Sequence, residues 1–388
     1  MQGPWLTIIG VGEDGAAGLT PAATAALSAA QVVIGPPRHM ALLPETDAQR
    51  IEWPVPFADG IPHLLAHRGT PTVALTSGDP FWFGAGSVLA ERLGPSEWRA
   101  FPGPSVFSLA AARLGWRIEQ TVCLGLHAAP LGRLRPHLAP GQRIVATLRD
   151  GAAVADIAAY LADTGWGDSR VTALQALGGP RERVTTDLSG SFDAPVAVAI
   201  EAAGGAAIPL ASGRPDATFA HDGQITKRPV RALTLSALGP CPGEHLWDIG
   251  AGSGSIALEW LMAHPSCTAT AVEGRSDRAT RIRENAKVLG QDRLHVVEGR
   301  APDALDGLPA PDAIFVGGGL SQTLLDRLIG LPARLVVNAV TLESEALVLA
   351  AHATHGGSLL RAQLSQPEPL GGFHGWKHAY PITQWCRP

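Results

Sequence analysis

The stretch His245-Leu-Trp-Asp-Ile-Gly-Ala-Gly-Ser-Gly254 decides how this chain is read. Leu246, Trp247 and Ile249 form a short apolar run, Pro242-Gly243 before it is a turn signal, and Ser255-Ile-Ala-Leu-Glu-Trp-Leu-Met262 after it has apolar residues at helical spacing. The pattern predicts a strand, a glycine turn and a helix. Glycines at 250, 252 and 254 permit a tight turn and let a ligand meet bare backbone beside a helix N-terminus. A glycine turn by itself also fits an ordinary strand-to-helix connection.

A second feature decides between the two. Thr268-Ala-Thr-Ala-Val-Glu273 predicts the next strand, ending in an acid about twenty residues after the glycines, where a carboxylate holds an adenosine ribose. The glycines follow G-x-G-x-G rather than the G-x-G-x-x-G of dinucleotide sites, and Asp248 precedes the first of them. S-adenosylmethionine (SAM) has no pyrophosphate, so its loop must meet an amino-acid moiety whose ammonium seeks acceptors. The stretch is similar to the D-x-G-x-G-x-G signature of SAM-dependent methyltransferases. It implies a cofactor site of Asp248, Gly250, Ala251, Gly252, Ser253, Gly254 and Glu273, with later strands ending at Gly299-Arg300-Ala301-Pro302 and Ile314-Phe-Val-Gly-Gly-Gly319.

The 388 residues suffice for two or three domains, and 46% hydrophobic with 17% charged residues is a globular profile. A net charge of −5 argues against general nucleic-acid binding, which calls for a basic surplus. The four cysteines, Cys123, Cys241, Cys267 and Cys386, are far apart and suggest neither zinc site nor disulfide framework. No metal is implied. Met1-Gln-Gly-Pro-Trp5 lacks a basic region before an apolar core, so no signal peptide is read there. The most apolar window, Ala194 to Ala211, is broken by Pro195, Glu201, Gly204, Gly205 and Pro209 and is not a membrane span. A cytoplasmic location is expected.

Ahead of the central stretch, strands are expected at Trp5–Ile9, Val32–Ile34, Thr72–Thr76 and from Trp98, with helices from Leu19 and over Val106–Leu114; Thr20 and Pro21 suit N-cap and first helical position. A second lobe is expected from Gln142, with a helix over Ala153–Ala162 and strands over Arg170–Ala176 and Val196–Ile200. Alternating strands and helices give an α/β class. The expected domains are 1–205, a linker of Gly, Ala and Pro over 206–220, and 221–388.

Gly10-Val-Gly12 with Leu19-Thr20, Ser77-Gly-Asp-Pro80, Pro102-Gly-Pro-Ser105 and Gly178-Gly-Pro-Arg181 together resemble the tetrapyrrole (corrin and sirohaem) methylase family. His221-Asp-Gly-Gln-Ile-Thr-Lys-Arg-Pro-Val-Arg231, followed by the central stretch, resembles the decarboxylating methyltransferases of the cobalamin pathway. The two resemblances cover nearly the whole chain. They imply a two-lobed tetrapyrrole methylase domain followed by a Rossmann-like class I SAM-dependent methyltransferase domain, each with its own SAM, a precorrin substrate and a homo-oligomer. In the first domain they place SAM against Gly10, Gly12, Ser77, Gly78, Asp79, Trp82, Ser105, Val106 and Leu148; in the second they add Thr226, Arg300 and Ala301 to the glycine loop and Glu273. Lys227, Arg228 and Arg231 are expected to hold substrate carboxylates. One departure stands out: the family's third loop glycine is replaced by Asp14, with Gly15 one residue later.

A corrin precursor carries acetate and propionate arms, so its pocket must be wide and locally cationic. Arginine pairs at 113 and 117, 133 and 135, and 181 and 183 are candidate clamps. Glu13, His127, His137 and His221 are candidates for the base that takes the displaced proton, and the residues alone do not choose among them. A nicotinamide dehydrogenase is the competing enzyme class; the glycine spacing and Asp248 count against it.

Overall fold

Leu6–Val11 (β1), Val32–Gly35 (β2), Gln49–Glu52 (β3), Thr72–Ser77 (β4) and Trp98–Phe101 (β5) form an all-parallel sheet in the order β3-β2-β4-β1-β5. β1, β2 and the body of β4 are buried apolar runs, as parallel strands covered on both faces require. In the computed structural model, which describes residues 3–388, this sheet belongs to the first of two compact units, made of residues up to 131 and 137–206; the second comprises 132–136 and 207–388.

The other lobe of the first unit is a mixed sheet of Thr121–Gly125 (β6), Arg143–Thr147 (β7), Arg170–Gln175 (β8), Arg183–Thr185 (β9) and Val196–Glu201 (β10), ordered β6-β7-β10-β8-β9. Only β6 and β7 run parallel. β6 lies ahead of the lobe boundary expected at Gln142. The short apolar run Val122-Cys-Leu124 is its only sequence signal, and its residues are half-buried. The helices over Val106–Leu114 and Ala153–Asp163 form as expected, and Thr20 caps the first helix by accepting from Ala23 N at 3.2 Å.

In the second unit His245–Ile249 (β11), Thr268–Glu273 (β12), Leu294–Glu298 (β13), Ala313–Val316 (β14), Arg334–Ala339 (β15), Ser358–Ala362 (β16), Ser365–Leu370 (β17), Phe373–His378 (β18) and Ile382–Arg387 (β19) follow. Seven form one sheet, β13-β12-β11-β14-β15-β19-β16, and β17 and β18 form a separate hairpin. Alternate strand residues bury on opposite faces: Leu246, Ala269 and Phe315 pack with helices 228–238, 255–263 and 276–288, whereas Trp247, Ile249 and Ile314 pack with helices 322–329 and 342–355. Strand order reverses between β11 and β14, and such a switch point leaves a crevice at the carboxyl ends of the strands. The glycines after β11 and those after β14 flank it. Among the described residues no helix is long and apolar enough to cross a membrane.

The segment expected as a linker differs in the structure. Ile208, Arg214 and Phe219 are buried in the second unit, and the backbone N–H groups of Gly213 and Arg214 donate to Glu259 at 2.7 and 2.9 Å. A run rich in glycine and alanine reads as flexible because the acid that orders it lies some forty residues away in the sequence. Arg231, expected among the substrate contacts, is corrected here as well. It is completely buried, its Nε donates to Glu259 Oε1 at 2.6 Å, its terminal nitrogens donate to the carbonyls of Thr226 and Arg214, and its guanidinium lies 4.9 Å from the Phe219 ring centre. Removing one partner of a buried ion pair leaves the other charge uncompensated, at about 3–5 kcal/mol. Glu259→Ala is therefore expected to cost about 3–5 kcal/mol in urea unfolding followed by tryptophan fluorescence; a loss within the range of a surface pair, about 1 kcal/mol or less, would refute this account.

Candidate functional site

At the carboxyl end of the first sheet three glycine backbones meet. Gly103 N donates to Gly78 O and Gly78 N to Val11 O, both at 3.0 Å, and a Cβ on Gly10 would lie 1.7 Å from Gly78 O. Gly10 is thus consumed by packing rather than presented to a ligand. Around Asp14 the loop closes locally: Gly15 adopts φ +61° and donates to Gly12 O at 3.1 Å, and the Asp14 carboxylate folds back against Gly12 and Gly18.

Beside these strand ends lies a cavity of about 500 Å³. Gly12, Ser77, Gly78, Asp79, Trp82, Ser105, Val106 and Leu148, all expected at a cofactor, line it together, with residues of both lobes on its wall. Gly78 has φ +48°, and a Cβ there would meet Pro104 O at 2.7 Å. Asp79 accepts from Phe81 N at 2.9 Å, which fixes the turn; Trp82 packs on Phe107 with ring centres 4.9 Å apart; Ser105 caps the next helix by accepting from Ser108 N at 3.1 Å.

The cavity also contains a polar cluster that the sequence did not announce. Glu13, nearly buried, pairs with Arg38 and, at 2.9 Å, with Arg181. Arg38 and the buried His39 each reach Ser77 Oγ at 3.0 Å. Burial, and then the Arg38 charge, push His39 down to about 3, so its imidazole is neutral. Only the adjacency of Arg38 and His39 after Gly35-Pro-Pro37 could have drawn attention to them. Arg113, a candidate clamp, is paired with Glu182.

In the second unit Gly250, Gly252 and Gly254 all take positive φ, between +60° and +74°. A Cβ on Gly250 would strike Gly318 O at 2.6 Å, so the loop after β11 and the triple glycine after β14 touch backbone to backbone. Gly252 faces open space, as a ligand-facing position must. Glu273 is nearly buried and accepts from Gly252 N at 2.8 Å and Arg275 N at 3.0 Å, so the carboxylate expected at a ribose also shapes the loop. Asp248 is fully buried; Oδ2 accepts from Ala257 N at 3.0 Å, while Oδ1 and the Ser253 Oγ of the same loop have no partner among the described residues. Burial pushes the Asp248 carboxyl up to about 7. An open glycine, an unpartnered buried carboxyl oxygen and an unpartnered hydroxyl fit a ligand that brings a cationic donor, as the SAM ammonium does.

Thr226 stands just before helix 228–238, tied to that helix through Arg231. Lys227 is exposed, and the exposed Arg228 donates through Nε to Gly213 O at 2.7 Å. Arg300 is exposed with its stem against Gly274, and Ala301 precedes a cis proline. Asn285 was not foreseen: buried on helix 276–288, it donates to Ser253 O and Ala220 O at 3.0 Å and accepts from Ala220 N at 2.9 Å.

Residues 5–192 match the model of the tetrapyrrole (corrin/porphyrin) methylases, and residues 217–387 match that of a precorrin methyltransferase domain. A Sinorhizobium protein named precorrin-6Y C(5,15)-methyltransferase [decarboxylating] is 49% identical over 98% of this chain and 96% of its own length. One of the same name from Mycobacterium tuberculosis is 39% identical over 98% of each chain. A Salmonella typhimurium protein named cobalt-precorrin-6B C(15)-methyltransferase (decarboxylating) is 32% identical over 166 residues, which are 41% of this chain and 85% of that protein.

Two substitutions test the two sites by calorimetric titration of the whole chain with SAM. Gly78→Val puts branched atoms where Pro104 O already crowds, and is expected to abolish one of two sites. Glu273→Ala removes a charged acceptor worth about 1.5–3 kcal/mol, and is expected to weaken the other by about 10- to 150-fold. Two sites retained in the first variant, or unchanged affinity in the second, would refute the respective assignment.

Proposed function

The chain belongs to the precorrin-6Y C(5,15)-methyltransferase (decarboxylating) family, and from that premise we propose that it is a bifunctional, SAM-dependent C-methyltransferase and decarboxylase of cobalamin biosynthesis that converts precorrin-6Y to precorrin-8. The first unit methylates C-5; the second methylates C-15 and removes the carboxyl of the C-12 acetate. The observation that carries this reading is the pairing of two unlike glycine-lined sites, one on each unit, within a chain aligned almost end to end with relatives of that name. The division of labour draws support from the Salmonella relative named for the C(15) step alone, whose aligned length is close to that of the 217–387 match. The same matches support domains near 1–205 and 221–388, with 206–220 packed onto the second.

Each unit binds its own SAM, which supplies an electrophilic methyl group on sulfonium. In the first unit Gly12, the Ser77–Asp79 turn, Trp82, Ser105, Val106 and Leu148 hold it, with Gly10 setting the strand ends. In the second the loop from Asp248 to Gly254, Glu273, Thr226 and Ala301 do so, with Arg300 at the rim. A pyrrole-derived ring carbon is already electron-rich, so the chain contributes mainly alignment, worth about 7–11 kcal/mol in well-oriented reactions. For decarboxylation the ring's own conjugated imine accepts the electron pair, so the substrate serves as its own electron sink. Arg38, Lys227 and Arg228 are cations available to the acetate and propionate arms. Leu370, Phe373, Trp376 and Tyr380 stand largely exposed on and beside the β17–β18 hairpin, which supports a homo-oligomer in which another copy covers them. Cytoplasm is the fitting compartment.

Incubated with precorrin-6Y and SAM, the whole chain is expected to give a product two methyl groups heavier and one carbon dioxide lighter. Gly78→Val is expected to give one methyl with carbon dioxide release, and a variant lacking the Glu273 carboxylate, at SAM concentrations that fill the wild-type sites but not its weakened one, one methyl without it. Carbon dioxide release lost in Gly78→Val but kept in the Glu273 variant would reverse the assignment.

A further inference from the structure

Replacing a ring C–H by C–CH3 at the expense of a sulfonium releases one proton, which some group beside the ring must receive. The titratable side chains on the wall of the first unit's cavity are Glu13, Arg38, His39, Asp79 and His127. Glu13 is held between Arg38 and Arg181, and Arg38 is itself a cation. His39 is buried with Nε2 against both Ser77 Oγ and Arg38, and Asp79 closes its own turn on the SAM-binding side. His127 differs from all four. It lies two residues beyond β6, on the lobe opposite the Ser77–Asp79 turn, and is exposed to the cavity. Leu126 N donates to Thr147 O at 3.0 Å, and His127 Nδ1 lies 3.1 Å from Thr147 Oγ1. Among the described residues only one ring nitrogen is engaged.

We propose that His127 is the catalytic base of the N-terminal methylation: Nδ1–H donates to Thr147 Oγ1, and the Nε2 lone pair takes the proton from the ring carbon being methylated. The inference rests on the function proposed above. The ring π pair forms the C–CH3 bond, the S–CH3 pair stays on sulfur, and the C–H pair returns to the ring as the proton leaves to Nε2. The histidinium then passes its proton to solvent at the cavity mouth. Burial lowers the pKa of His127, so the neutral, accepting form is the one present at neutral pH.

Three measurements on the whole chain test this. Nitrogen-15 NMR of the histidine rings in the free protein is expected to find His127 protonated at Nδ1; the Nε2–H tautomer would overturn the proposal. His127→Ala is expected to bind two SAM as wild type does, to slow the N-terminal methylation by about 100-fold or more, as loss of a general base does, and to regain part of that rate with added imidazole. Methyl groups and carbon dioxide per tetrapyrrole would approach one and one. A rate within about twofold of wild type, loss of a SAM site, or a loss that imidazole does not relieve would each overturn it. Wild-type protein adding fewer than two methyl groups would instead refute the proposed function, and this inference with it; two methyl groups in wild type beside an unimpaired variant would overturn the inference alone.

Discussion

The carboxylate of Glu259 is the point on which the second unit depends. Sealed from solvent, it accepts the backbone N–H groups of Gly213 and Arg214, takes the Nε of Arg231 and faces the Arg214 guanidinium at 3.4 Å. It lies on the helix that begins at the end of the glycine loop, so one carboxylate joins that helix to the segment leading into the unit and, through Arg231, to Thr226. Buried charge of this density is tolerated because the Glu259 carboxylate is surrounded by donors, and the need to keep them in place constrains the geometry. Asn285 extends the same logic with neutral groups, joining Ser253 in the loop to Ala220 in the leading segment.

Much of this was legible in the sequence wherever the governing physics is local. The turn at Gly250–Gly254, the strand ending in Glu273, the Thr20 cap and the Ser77–Asp79 turn follow from short-range rules about backbone freedom and apolar spacing, and each forms where expected. What was missed depends on partners far apart in the chain. Arg231 reads as a cation for substrate carboxylates until Glu259 is seen beside it; residues 206–220 read as a linker until the same acid is found to accept the backbone N–H groups of Gly213 and Arg214. The Arg38–Glu13–Arg181 cluster draws on segments up to 168 residues apart, and no periodicity encodes it. Strand β6, a half-buried edge strand, has only the three-residue apolar run Val122-Cys-Leu124 to mark it.

The two sites solve the problem of holding a small ligand in different ways. In the second unit a loop with three left-handed glycines is braced from below by another glycine run, and its polar groups include a buried acid with an oxygen still unpartnered. In the first unit glycines pack strand ends together, and the cavity wall is supplied by turns, aromatic rings and a helix cap. The two halves meet the same demand, close approach without a Cβ in the way, with different backbones, although both loops open with a G-x-G step.

Glu13 carries a consequence for the first unit as a whole. It belongs to the loop after β1, whereas Arg181 belongs to the other lobe, and a Cβ on Gly179 would come within 2.5 Å of Glu13 Cβ. The lobes are thus joined by an ion pair whose acid is buried and whose arginine is half exposed, and by a close backbone approach at Gly179. Contacts already made between the lobes in the free protein leave fewer groups to be ordered when a ligand enters between them, and that ordering is part of what binding costs.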